Sequence, residues 1–172
     1  KDTIAEITIL TPKSIKVVSD IDSGILVEGF DKQDLQVVLY NLLTNAFQAI
    51  DTRPGNVSIR LKKADAECNA DLQKRSIVTK EKEYVVLSIT DDGPGIAEGL
   101  ESNNLFDPFF TTKKPGEGTG LGLAISSGIA ADFGGRLTAH NASDEGGRGA
   151  VFELELPLHD PQRKTGAGMA AE

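Results

Sequence analysis

Apolar residues recur at Leu35, Val38, Leu39, Leu42, Leu43, Ala46, Ala49 and Ile50, three and four positions apart, the spacing of one helical face. The pattern predicts a long helix over residues 32–50, opened by Asp31 as acceptor for the first amides and stopped by Arg53-Pro54-Gly55. Elsewhere the period shortens toward two. Residues 15–21, 57–61 and 84–90 read as strands, the last two as antiparallel partners, and Leu26-Val27 is a candidate to continue the first layer after a turn at Ser23-Gly24. Residues 62–83 are charged and aperiodic, the signature of a long hairpin insertion. Farther on, glycines crowd between Gly93 and Gly149, and residues 97–118 read as a loop with one apolar island at 105–110. Residues 121–132 predict a second helix closed by Gly134-Gly135. Residues 136–141 and 150–156 predict the strands of a final hairpin with a glycine-rich turn at 145–149.

Composition narrows this picture in three ways. A length of 172 residues fits one domain burying about two thirds of its unfolded surface, and with 5% aromatics and no Trp its core must be aliphatic. A net charge of -8 argues against nucleic acid or an anionic membrane as partner, so any phosphate site must rely on local dipoles, a few lysines and a metal. Cys68 is the only cysteine, which excludes an internal disulfide or a multi-cysteine metal site and suggests a reducing, cytoplasmic setting. No apolar run approaches about 18 residues and no signal peptide opens the chain, so no membrane contact is expected of it. The chain opens at Lys1 and its one Met is Met169, so a piece of a longer protein is expected: a linker over 1–14, a folded domain over 15–159, and a tail or linker over 160–172.

Three stretches carry candidate chemistry. At ~3.6 residues per turn Asn41, Asn45 and Gln48 fall within about 60° of one another along one edge of the apolar stripe. A buried amide must find a partner, at a cost of about 1–3 kcal/mol otherwise. The partner is either a neighbouring loop or, for an amide oxygen, Mg²⁺ beside phosphate. Asp91, followed by Gly93-Pro94-Gly95, is either an ordinary turn or a carboxylate held to accept from the exocyclic amine of adenine. Gly118-Thr119-Gly120-Leu121-Gly122-Leu123 runs into the second helix, where backbone N–H groups and the helix dipole suit phosphate. It fits neither GxxxxGK[ST] nor GxGxxG, and alone it is as well read as a glycine hinge. Lys113 and Lys114 upstream could offset phosphate charge or simply be solvated. Asp132-Phe133-Gly134 spells a kinase motif without its HRD or VAIK companions and reads as a helix end, while His140 and His159 have no ligand-like or triad-like company. Together, in this order, the three stretches imply ATP binding.

Residues 15–157 resemble the ATP-binding catalytic domain of bacterial two-component sensor histidine kinases, of the superfamily shared with DNA gyrase, Hsp90 chaperones and MutL. Residues 36–49 resemble its N box, 91–96 its G1 box, 105–113 (LFDPFFTTK) its F box and 116–123 its G2 box. The resemblance implies an α+β fold, a two-layer α/β sandwich of the Bergerat type with a mixed sheet covered by helices on one face. It implies catalytic roles for Asn41 and Asn45, with Mg²⁺ on Asn45 and Gln48 nearby. Asp91 would read adenine, with Gly93, Gly95 and Ile96 shaping the base pocket. A lid over residues 97–118, anchored by Phe106, Phe109 and Phe110, would order on nucleotide binding. Thr111, Thr112, Lys113 and the amides of Gly118, Thr119, Gly120, Leu121, Gly122 and Leu123 would reach the phosphates. Two positions depart from the pattern: Gln48 stands where many relatives carry Lys or Arg, and Ala150 where several carry a Thr that bridges to adenine through water.

Superfamily ATPases place a glutamate general base where this chain has Asn41, and a carboxamide takes no proton at neutral pH. The resemblance therefore implies transfer of the γ-phosphoryl group to a histidine on the chain's own dimerisation and phosphoacceptor domain, which precedes it in a homodimeric parent. Onward relay would go to an aspartate of a response-regulator receiver domain. Alternatives of the same superfamily are an ATPase, a serine kinase of the anti-sigma-factor type, and a nucleotide-gated interaction module.

Overall fold

The computed structural model describes residues 11–25, 27, 30–51, 53–64, 83–97, 100, 104–113, 118–142 and 148–158. Within them lie strand β1 (Ile15–Ile21), helix α1 (Lys32–Ile50), strands β2 (Gly55–Lys63) and β3 (Tyr84–Asp91), a 3-10 turn (Asn104–Phe106), helix α2 (Gly122–Asp132), and strands β4 (Arg136–Asn141) and β5 (Ala150–Pro157). The sheet runs β1-β2-β3-β5-β4, with β1 parallel to β2 and every other pair antiparallel. This is the mixed sheet expected. The fifth strand lies inside it: β5 pairs with β3 as well as with β4, so the start of β5 sits beside Asp91.

Helix α1 forms where its periodicity predicts. Asp31 caps it by accepting from Gln33 N at 3.0 Å. A single helix of 19 residues is marginal in water by itself, and tertiary burial of its stripe stabilises it. Val38, Leu39, Leu42, Leu43, Ala46 and Ile50 are buried against Val57, Ile59, Leu87 and Ile89 of the sheet, each large side chain contributing about 1.5–3 kcal/mol. Alternation in β3 and β5 puts Leu87 beside Leu154 and Ile89 beside Phe152 on that same face. The opposite face carries Arg60, Ser88 and Glu153, with Ser88 Oγ donating to Glu153 at 3.1 Å. Phe30, just before α1, meets Phe133 at the end of α2 edge to face with 4.4 Å between centroids, tying the two helices together.

Several boundaries move outward. β2 starts at Gly55, the last residue of the helix stop, because Gly55 and Asn56 pair with Ile15 and Lys16 of β1, and β3 extends to Asp91, which pairs with Val57. Val27 joins no strand; its side chain packs half-buried on the core instead. Leu26, most of the insertion with Cys68, His159, Lys114 and the expected linker and tail fall wholly or largely outside the described residues.

Gly149 fixes how β5 approaches β3. Its φ is +127°, and a Cβ there would lie 1.8 Å from the carbonyl oxygen of Asp91. Gly149→Ala is expected to cost about 2 kcal/mol or more, by backbone strain and forced displacement of β5. Urea denaturation checks this, and an unchanged midpoint would refute it.

Candidate active site

Because α1 buries its apolar stripe against the sheet, the edge of that stripe faces a cavity of about 730 Å³, a size that suits a ligand of nucleotide dimensions. Its wall includes Asn41, Asn45 and Gln48 from α1, Asp91 from β3, Gly95 and Ile96 from the turn after it, Thr111, Thr112 and Lys113, and Gly118, Thr119, Gly120, Gly122 and Leu123. The amide row and the lone carboxylate thus share one space. Gly93, Phe106 and Leu121 do not line it. Gly93 instead donates its N–H to Asp91, Phe106 packs against the core, and Leu121 donates its N–H to Thr119 Oγ1 at 3.3 Å. Leu105 and Phe110 supply apolar lining there.

Asp91 is buried, 3% exposed, at the end of β3. Its Oδ1 accepts from Gly93 N at 2.8 Å and from Ala150 N at 3.4 Å, while among the described residues nothing donates to Oδ2. Burial pushes the pKa of this carboxyl up from its ordinary value, and the two backbone amides oppose that in part. One oxygen is therefore fixed and the other is available to a donor in the cavity.

Three neighbours that local sequence did not reveal hold this turn in place. Asn141, at the end of β4, accepts from Ile96 N at 2.6 Å and donates to Ile96 O at 2.9 Å. Asp92 accepts from Asn56 N and from Asn56 Nδ2, both at 3.0 Å, and pairs with Arg53 at 3.2 Å. The only hint of them in the chain was polar residues clustered at strand ends, which is too common a feature to single them out.

The amide row divides its work. Asn41 Nδ2 donates to Gly122 O at 3.0 Å and to Ser126 Oγ at 3.1 Å, so this half-buried amide fastens α2 to α1. Ser126, fully buried on an otherwise apolar helix face, is the partner that sequence reading missed. Asn45 Oδ1 and Gln48 Oε1 both accept from the ammonium of Lys113, the former at 3.2 Å. Two hard oxygens converging on one cation fit Mg²⁺ in kind. No cluster of three or more His, Cys, Asp or Glu side chains among the described residues offers an alternative metal site.

Helix α2 opens on the cavity with Leu121 at its N-cap, a residue with no side-chain acceptor, leaving its first amides unsatisfied by any cap. Gly120 makes the approach possible: at φ +66°, a Cβ would sit 2.5 Å from Phe109 backbone. Phe109 corrects an expectation. Its ring is 73% exposed and anchors nothing; the anchoring is done by its backbone N–H, which donates to Gly120 O at 3.0 Å.

Comparison with known proteins agrees with this geometry. Residues 30–160 match the family described as histidine kinase-, DNA gyrase B- and HSP90-like ATPase. The two-component sensor PprA of Pseudomonas aeruginosa is 39% identical over 132 residues, covering 77% of this chain and 13% of PprA. The histidine-protein kinase AtoS of Escherichia coli is 34% identical over 151 residues, covering 88% of this chain and 21% of AtoS. The chain thus spans under a quarter of such relatives' length. Among solved structures, the catalytic domain of histidine kinase ThkA superposes with a TM-score of 0.67 at 29% identity, over 91% of this chain and 92% of that one. Full-length ShkA in complex with AMPPNP gives 0.61 at 25% identity, over 91% and 29%. No described helix is long and apolar enough to cross a membrane. The chain belongs to the histidine kinase-, DNA gyrase B- and HSP90-like ATPase family, as the ATP-binding catalytic domain of a sensor histidine kinase.

Proposed function

We propose that the cavity binds Mg²⁺–ATP and presents its γ-phosphoryl group to a histidine on the dimerisation domain of a homodimeric parent, for relay to a receiver-domain aspartate in the cytoplasm. The distribution of titratable groups supports this. Asp91 is the only carboxylate among the described lining residues, and its Oδ1 is held by the turn that follows β3. Among the described lining residues no His or Glu stands ready to take a proton from water. Asn41, where an ATPase of the superfamily would hold its base, is already committed to Gly122 and Ser126. Phosphoryl transfer needs positioning and charge neutralisation more than proton removal. The acceptor must bring its own nucleophile, and a neutral imidazole does: its ring nitrogen bonds to phosphorus as the bridging oxygen leaves with ADP.

Asp91 Oδ2 would accept from the adenine amine, with Gly95 and Ile96 flanking the base and Gly93 holding the carboxylate. Asn45, with Gln48 beside it, would hold Mg²⁺, whose contribution is to neutralise charge on the phosphates. The amides of residues 118–123, with Thr111, Thr112 and Lys113, would receive the phosphate oxygens. That the related ShkA was solved in complex with AMPPNP supports a nucleotide as the cavity's ligand.

Incubated alone with Mg²⁺–ATP, the chain is expected to release phosphate slowly and remain unlabelled. Adding the parent's dimerisation domain should yield an acid-labile, alkali-stable phosphoprotein. Rapid turnover by the chain alone, or an acid-stable product, would refute the reading.

Asp91→Asn keeps an oxygen for Gly93 and Ala150 but turns an N–H toward the adenine amine. ATP affinity should fall about ten- to a hundred-fold, the worth of a charge-assisted hydrogen bond. The unfolding midpoint should hold or rise, since the cost of burying a charge at neutral pH is gone; calorimetry and thermal melts check both. Because burial raises the pKa of Asp91, the advantage of wild type over Asp91→Asn should fade on acidification at a higher pH than it would for an exposed carboxylate.

A further inference from the structure

The amide row already holds a cation, and it belongs to the protein. Lys113 Nζ donates to Asn45 Oδ1 at 3.2 Å and to Gln48 Oε1, two side chains three residues apart on α1. Among the described residues it makes no ion pair with a carboxylate; its two partners are neutral amide oxygens. Its charge is therefore solvated by dipoles but not compensated. It faces the same cavity as the uncapped start of α2, a second positive feature.

We propose that Lys113 is an internal counter-cation: its ammonium and the divalent ion exchange on Asn45 Oδ1, and Gln48 is the residue that positions the ammonium. The inference rests on the reading of Asn45 as the Mg²⁺ ligand. One oxygen, Asn45 Oδ1, cannot serve both cations at full strength. When Mg²⁺ takes it, the ammonium keeps Gln48 Oε1 or moves to a phosphate oxygen. When Mg²⁺ is scarce, the ammonium stays and neutralises the phosphates in its place. Lysine suits this exchange because its charge sits on a compact head with three donors on a flexible stem. Gln48 suits it because an amide oxygen holds an ammonium without neutralising it, whereas a carboxylate would cancel the charge that attracts the nucleotide.

The exchange is read by isothermal calorimetry with a non-hydrolysable ATP analogue, in EDTA and in saturating Mg²⁺, on wild type, Lys113→Met, Gln48→Met, the double variant and Lys113→Arg. Lys113→Met should weaken binding about tenfold in EDTA but only about two- to threefold in Mg²⁺, so Mg²⁺ tightens binding by a larger factor than in wild type. Gln48→Met should act in the same direction, more weakly, and add nothing once Lys113 is replaced; Lys113→Arg should recover most of the EDTA affinity. Equal losses in both media, or none in either, would overturn the exchange while leaving the Mg²⁺ site standing. If Mg²⁺ fails to tighten binding in wild type and in every variant, the ion site falls and the exchange with it.

Discussion

A carboxylate buried at the meeting of two strands constrains this domain more than any other group. Asp91 cannot be removed from water cheaply, and its charged form is tolerated because Gly93 and Ala150 aim backbone N–H groups at Oδ1. Those donors are available only if the turn after β3 folds back and if β5 starts alongside β3. Gly149 permits the second condition, since no side chain fits between it and the Asp91 carbonyl. The central position of β5 is thus bound up with the site: the last hairpin completes the sheet and satisfies its buried acid in one move.

Helix α1 serves the sheet and the cavity at once. Its apolar stripe packs on β2 and β3, and that packing fixes the direction in which its polar edge looks. Asn41 uses that edge to hold α2 through Gly122 and Ser126, which sets where the start of α2 meets the cavity. Asn45 and Gln48, about one and two turns farther on, are left with oxygens directed at a cation. Rotating α1 by a fraction of a turn would disturb core, helix pairing and cation cradle together, so the register of one helix coordinates three features.

These dependencies explain what the sequence disclosed. Periodicity is local, and it marked α1, the strands and the second helix to within a residue or two. Residue types in order marked the amide row, Asp91 and the glycine run. Contacts between segments far apart in the chain leave no such trace. Asn141 grips Ile96 from 45 residues away, and Ser126 meets Asn41 from 85. Both are short polar residues of ordinary type, and only the fold gives them partners. Phe109 shows the converse error: an aromatic in an apolar island suggests burial, yet a positive φ of 68° at that residue, matched by Gly120, turns the ring outward while the backbone makes the contact.

An acidic protein that binds a polyanion must concentrate its positive features, and this one does so with little formal charge. Long-range attraction is weak, because a net charge of -8 repels phosphate and salt screens the remainder within about 8–10 Å. At short range the balance reverses. The open start of α2 presents unsatisfied N–H groups, and the Lys113 ammonium beside it rests on amide oxygens that leave its charge intact. Both act inside a walled cavity, where the effective dielectric is lower than in water and each partial charge counts for more. Recognition then depends on alignment with those few groups, and an anion that does not reach them meets only the repulsion of the acidic surface.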